Sequence, residues 1–311
     1  MNAEAQDVSA LQARRPSVAA VFPGQGSERP GSGTEWLGDP LVGYASECAG
    51  VDVRRALERF SADLRRTSVL QPAIVALSLV AWRRARATGV RASLVCGHSV
   101  GELAAWAAAG AIDEREAVRV AAIRGRAMER AALVSPGAMI AVPSSVDVTA
   151  IAGLELAARN GPSQRVYSGS DEAIAAAARV FGGRRLEVSG PWHSGAMAAA
   201  EPEVRAALAT LEVGSASSAL VTCLDGRRLP PDERPDLVAQ LTQPVAWDAV
   251  MATLAAEGVT DVICLAPGRT SRALLRDGLG ARTRLHLIES DADCHRLQAA
   301  LGPHAHEGTT P

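Results

Sequence analysis

Leu94-Val95-Cys96-Gly97-His98-Ser99-Val100-Gly101-Glu102-Leu103-Ala104-Ala105-Trp106-Ala107-Ala108-Ala109 is the stretch on which the fold turns. Leu94–Cys96 is apolar and short, as a buried strand is, and Val100–Ala109 is an Ala-rich helical run. Between them stands Gly97-His98-Ser99-Val100-Gly101, a G-x-S-x-G at a strand-to-helix corner. A serine at such a corner has a strained backbone and needs small neighbours on both sides. Its hydroxyl projects clear of the sheet. The first N–H groups of the next helix, with the helix dipole, face the same space and favour an oxyanion there. A Gly-rich turn without chemistry is the plainer reading of this motif taken alone.

Working outward, Val18–Phe22 reads as a second buried strand, ending in Pro23-Gly24-Gln25-Gly26. Residues 69–88 read as an apolar helix starting near Pro72, and residues 114–132 as another with Arg and Glu on one side. Strand alternating with helix implies an α/β fold with a mainly parallel sheet. The middle differs. Strands are expected at Ala138–Val142, Arg165–Ser168 and Arg184–Val188, with helices at Val146–Ile151 and Asp171–Phe181. That β-α-β-α-β run fits a small inset ferredoxin-like subdomain. A helix near 196–210, a strand near 219–223, a helix near 246–257 and a strand at Val262–Leu265 then resume the larger domain. The expected layout is a large domain of 18–134 and 190–302, a small one of 135–189, and flexible tails at 1–17 and 303–311.

Composition narrows the function. The chain has 311 residues, 48% apolar and 21% charged, with a net charge of -2. That balance argues against a binder of nucleic acid relying on a positive field. All 32 basic residues are Arg, which removes any mechanism needing a Lys amine. The five cysteines are scattered with no C-x-x-C pair, so neither a disulfide framework nor a metal site is expected. They read as buried small hydrophobes in a reducing cytoplasm. No signal peptide and no membrane span are expected.

A serine nucleophile needs a base, and six histidines are available. His98 adjoins Ser99 but points another way on the turn, and fits better packed beneath the elbow. His193, in Ser189-Gly190-Pro191-Trp192-His193-Ser194, follows a Gly-Pro pair that fixes the approach of the chain. On residues alone it is either the base or an ordinary loop histidine.

In order along the chain stand Phe22-Pro23-Gly24-Gln25-Gly26-Ser27, Gly97-His98-Ser99-Val100-Gly101-Glu102, Ile123-Arg124-Gly125-Arg126-Ala127-Met128 and Asn160-Gly161-Pro162-Ser163-Gln164. Ser168-Gly169, Gly190-Pro191-Trp192-His193-Ser194, Gln240-Leu241-Thr242-Gln243-Pro244-Val245-Ala246-Trp247 and Ala266-Pro267-Gly268 follow. With these motifs the sequence resembles malonyl-CoA:acyl carrier protein transacylases and the acyltransferase domains of polyketide synthases, over about residues 19 to 290. The resemblance implies a large α/β-hydrolase-like domain with an inset ferredoxin-like subdomain. It implies Ser99 as the acylated nucleophile, His193 as its base, and the backbone carbonyl of Gln240 as the group that orients His193. It assigns the oxyanion hole to the backbone N–H groups of Gln25 and Val100. Arg124 would hold the free carboxylate of a malonyl group, since a guanidinium matches a planar carboxylate with two parallel bonds. By helix position alone, Arg124 is one arginine among Arg115, Arg119, Arg126 and Arg130 on a solvated face.

Trp192 and Met128 would line the acyl pocket. Trp192 stands where malonyl-specific relatives carry Phe and methylmalonyl-specific ones tend to carry Ser, so an unsubstituted malonyl is expected. Val100 points the same way. The implied partners are malonyl-CoA and an acyl carrier protein; a coenzyme A thioester is the substrate and no cofactor or metal is called for. Arg269, Arg272 and Arg276 are candidates for contact with an acidic carrier protein.

The sequence departs from the family pattern at Glu28, usually Gln, near Ser32, usually Met, and across a shortened stretch around 143–158. Thr222-Cys223-Leu224-Asp225-Gly226 also replaces the usual Ser-Asn-x-x-Gly. The motifs are shared by enzymes of fatty acid synthesis, polyketide assembly and malonate decarboxylase loading. Alternatives are a transacylase using a substituted malonyl-CoA, or a thioesterase-type hydrolase of the same family, which typically lacks the arginine. An α/β-hydrolase would take Ser99, an acid such as Asp261, and a late His286 or His295. An inactive docking subunit is the non-enzymatic reading.

Overall fold

Alternate side chains of strand β1 (Ser17–Phe22) enter two different cores: Val18, Ala20 and Phe22 one, Ala19 and Val21 the other. Such two-sided burial is what a central strand of a parallel sheet demands. The computed structural model describes residues 17–302. Apart from Ser17, which opens β1, the tails expected to be flexible lie outside the described residues.

After β1 come α1 (Pro40–Ala49), α2 (Val53–Arg59), α3 (Thr67–Ala87), β2 (Leu94–Gly97), α4 (Gly101–Ala108) and α5 (Glu114–Val134). The middle holds β3 (Ala138–Pro143), β4 (Leu154–Arg159), β5 (Gln164–Gly169), α6 (Asp171–Phe181) and β6 (Arg184–Arg185). The chain continues through α7 (Glu201–Ala209), β7 (Ala219–Val221), β8 (Val245–Ala246), α8 (Trp247–Ala256), β9 (Val259–Leu265), α9 (Arg269–Leu279), β10 (Arg284–Ile288) and α10 (Asp291–Leu301).

Among the described residues one five-stranded sheet runs β10-β9-β1-β2-β7 with every neighbour parallel. The second runs β6-β3-β5-β4-β8, antiparallel except for β4 with β8. Its first four strands lie in the ferredoxin-like spatial order. The fifth, β8, comes from beyond residue 189, so the later chain is stitched into the smaller sheet. No described helix is long and apolar enough to cross a membrane.

Two local expectations are corrected and one strand is added to them. Val146–Ile151 is not a helix: Val146 N–H donates to the Pro143 carbonyl (3.1 Å) and Ile151 N–H to that of Val148 (3.0 Å), forming successive turns. The Asp147 carboxylate takes the Thr149 N–H (2.9 Å), a side-chain bond that competes with helix in so short a β-branched run. Leu154–Arg159 is a strand, its Glu-Leu-Ala-Ala sequence overridden by pairing with β5 and β8. Helix α3 starts at Thr67 and carries Pro72 inside it. Its first turn is secured by the Arg66 carbonyl, which accepts from Val69 and Leu70 (3.0 and 2.9 Å).

Candidate active site

Strand β2 ends at Gly97 and α4 begins at Gly101, with Ser99 between them at φ 52°. A Cβ on Gly97 would lie 2.1 Å from the Gly101 carbonyl carbon, and one on Gly101 would lie 2.4 Å from the Phe22 carbonyl oxygen. Only glycines let strand, turn and helix close this tightly. Gly24 packs as closely, so the Pro23–Gly26 loop lies against the elbow: its Cβ would meet the His98 carbonyl oxygen at 2.6 Å.

His193 enters from the connection that leaves the second sheet and also has positive φ, 57°. Its Nε2 lies 2.8 Å from Ser99 Oγ, and its Nδ1 lies 2.6 Å from the Gln240 carbonyl oxygen. A carbonyl can only accept, so Nδ1 carries the proton and Nε2 offers its lone pair to the serine hydroxyl. Both side chains are buried. Burial, and secondly the positive charge of Arg124, push the His193 pKa down to about 3. The imidazole is therefore neutral near neutral pH, as a base must be.

Arg124 does not lie on a solvated face: it is 2% exposed, whereas Arg115, Arg119, Arg126 and Arg130 are more exposed. The reason is the adjoining Gly125, where a Cβ would meet the Thr67 carbonyl oxygen at 2.5 Å. That contact presses α5 onto the start of α3. The guanidinium donates from Nη1 to Gln71 Oε1 (2.8 Å) and from Nη2 to Ser99 Oγ (3.3 Å), while its Nε finds no protein partner. Burial lowers its pKa to about 10, which leaves it charged at neutral pH.

The rest of the site is a chain of hydrogen bonds. Gln71 Nε2 donates to Thr67 Oγ1 (2.8 Å) and to Met128 Sδ (3.3 Å), and the Thr67 hydroxyl donates to Gln25 Oε1 (2.8 Å). Among the described residues the amides of Gln25 and Val100 donate to no protein acceptor. Trp192 is buried with Met128, Ala131 and Ala132, its ring edge folded over Gly190. Its carbonyl accepts from the Ser168 hydroxyl. His98 faces away from Ser99, its Nε2 within 3.1 Å of Asn160 Oδ1 and its ring beside Trp247.

Sequence reasoning passes over Gln71, Thr67 and Glu102. The signal was there for two of them, since Gln71 and Glu102 are lone polar side chains in apolar helical runs. Of the three arginines offered for a carrier protein, Arg269 is paired with Glu289 (2.9 Å), Arg272 is half-buried and Arg276 is exposed. Asp261 and His286 do meet, at 2.7 Å, with Arg284 on the same carboxylate. They lie at the wrong level of the sheet, however. Asp261 pairs with Val18 while Gly97 pairs with Phe22, about 13 Å further along at ~3.3 Å per residue.

A parallel sheet, a serine on a glycine-flanked elbow and a histidine on its hydroxyl make the layout that serine chemistry on an acyl group needs in an α/β enzyme. Residues 20–267 match the acyl transferase domain, and the chain belongs to that family. It is 34% identical over 303 residues to the malonyl CoA-acyl carrier protein transacylase of Mycobacterium tuberculosis, covering 90% of this chain and 99% of that one. The crystal structure of MCAT from Mycobacterium tuberculosis matches with a TM-score of 0.81 at 31% identity, over 90% of this chain and 99% of that chain. A malonyl-transacylase solved in complex with its type II PKS acyl-carrier protein matches at 0.79 and 27% identity, over 90% and 98%.

Proposed function

We propose that this enzyme moves a malonyl group from malonyl-CoA to the phosphopantetheine thiol of an acyl carrier protein, through an acyl-Ser99 intermediate. The observation that carries the reading is one hydroxyl met from two sides: His193 Nε2 at 2.8 Å and the Arg124 guanidinium at 3.3 Å. His193 takes the proton as Ser99 Oγ attacks the thioester, and the Gln25 and Val100 amides receive the oxyanion. The proton then passes to the departing coenzyme A thiolate. In the second half His193 deprotonates the carrier thiol, which attacks the acyl-serine. Arg124 binds the far carboxylate and so selects a dicarboxylic acyl group over a neutral one. Trp192 and Met128 line the pocket and favour malonyl over a substituted malonyl. The thioester is itself the activated substrate, so the reading requires no cofactor. Its substrates and five unpaired cysteines fit action in the cytoplasm.

Incubation with malonyl-CoA followed by intact mass should show one malonyl adduct, discharged by holo acyl carrier protein. Ser99→Ala should abolish it. An adduct that persists in Ser99→Ala, or that water discharges as fast as carrier protein does, defeats the reading.

A further inference from the structure

The wholly buried carboxyl of Glu102, in the first turn of α4, has no role in the chemistry described above. Its Oε2 accepts from Gln240 Nε2 (2.7 Å) and from the Cys223 N–H (2.8 Å); its Oε1 has no protein partner. Gln240 is also the residue whose carbonyl takes the His193 Nδ1–H, at 2.6 Å. It sits in a single 3-10 turn, Ala239–Leu241, within the irregular stretch joining β7 to β8. Its own amide reaches the Asp236 carbonyl only at 3.4 Å. The turn is closed by its neighbours, with Leu241 N–H on the Val238 carbonyl and Gln243 N–H on that of Ala239 (both 3.0 Å), whereas Gln240 itself is held weakly by its backbone amide and by a short bond at its side chain.

We propose that Glu102 is a positioning residue that clamps the Gln240 side chain, and through it the carbonyl that fixes the tautomer and ring plane of His193. The helix that begins just after Ser99 then also anchors the group that aims the base, so nucleophile and base are indexed to one element. A bond to a charged or strongly polar acceptor in a dry interior is stiff. A misplacement of about 1 Å at a reacting group can cost on the order of 10²-fold in rate.

The inference rests on the acyl-Ser99 reading, and its test separates the two. Single-turnover malonyl loading is followed by intact mass for the wild type, Glu102→Gln, Glu102→Ala, Gln240→Ala and the double variant. Gln240→Ala keeps the backbone carbonyl and removes only the gripped side chain. Glu102→Gln, which keeps a carbonyl acceptor at the same place, should retain most of the rate. Glu102→Ala and Gln240→Ala should each lose about 10²-fold in loading rate with KM for malonyl-CoA within about twofold. The double variant should be no slower than either single one, because both cut the same link. Multiplicative losses, a loss carried by KM, or equal losses in Glu102→Gln and Glu102→Ala would overturn the clamp. Should Glu102→Ala fail to fold, Gln240→Ala still decides, and a wild-type rate there overturns it. A wild type that forms no adduct at Ser99 removes the parent reading and the clamp with it.

Discussion

Arg124→Ala should convert a malonyl-selective enzyme into one that scarcely distinguishes malonyl from acetyl. The guanidinium is 2% exposed, uses Nη1 on Gln71 and Nη2 on Ser99, and leaves Nε without a protein partner. A charge so placed is under-compensated until a carboxylate arrives, so the pair forms without a further desolvation of the protein side. Breaking a buried, hydrogen-bonded ion pair costs about 3–4 kcal/mol, or about 10²–10³-fold in kcat/KM for malonyl-CoA. Acetyl-CoA has no carboxylate and sets the baseline. It should lose only what the Nη2 contact with Ser99 Oγ contributes, a long bond of 3.3 Å. That is about 1 kcal/mol, roughly fivefold. The selectivity ratio should therefore fall about 10²-fold. Arg124→Lys, a point charge without the planar fork, should fall between. The assay is competitive loading of both esters at equal concentration, with adducts resolved by mass at several early times. Malonyl and acetyl rates that fall by one common factor would refute the carboxylate role and leave Arg124 as a structural support of the elbow.

Three further outcomes rest on the same geometry. Malonyl loading needs neutral His193, a form present above its folded pKa of about 3 and lost as pH falls through it. Loading should accordingly stay flat from about pH 8 to 5, with an acid limb well below that of a free histidine near 6.5; a limb at 6.5 in stopped-flow loading would contradict the burial argument. In Arg124→Ala the limb should move upward, since that cation is the second cause of the depression. Trp192→Ala should open the acyl pocket and raise methylmalonyl loading relative to malonyl by about tenfold, since one methyl is worth about 1–3 kcal/mol; an unchanged ratio in mixed-ester loading would place Trp192 outside the pocket wall.

The elbow was legible because its causes are local. Two glycines and an apolar strand of a few residues say where the chain must turn, whatever surrounds it. The histidine was legible as a candidate for a similar reason, the Gly-Pro before it. Arg124 was not legible from its helix: its neighbours in sequence are solvated arginines, and only the contact of Gly125 with Thr67 on α3 buries it. The family motifs, not the helical pattern, pointed to it. Strand β4 was missed because Leu154–Arg159 has little strand preference of its own and is made by its partners. Helices α1 and α2 carry caps readable in the sequence, Asp39 before Pro40 and Asp52 with its carboxylate on the Arg55 N–H. The Asp261–His286 pair shows the converse: a plausible acid and histidine do meet, yet as a structural contact whose carboxylate is also paired with Arg284, far from the serine.

Strain ties these observations together. Among the described residues just three that are not glycine have positive φ, and two of them are Ser99 and His193. Each such residue costs on the order of 1–3 kcal/mol, against a total stability of about 5–15 kcal/mol for a typical native protein. A fold retains two such distortions only where the surroundings fix both. At Ser99 the fixing is steric, through Gly97 and Gly101 against the Phe22 strand end. At His193 it is polar: the Ser168 hydroxyl holds the preceding carbonyl, the Ser194 hydroxyl holds that of Pro191 (2.6 Å), and Gln240 takes the ring N–H. Serine and histidine come from different sheets, so neither distortion alone makes the 2.8 Å contact between them. The junction of the two sheets is where that contact is made, and the Glu102–Gln240 link crosses the same junction from the helix side.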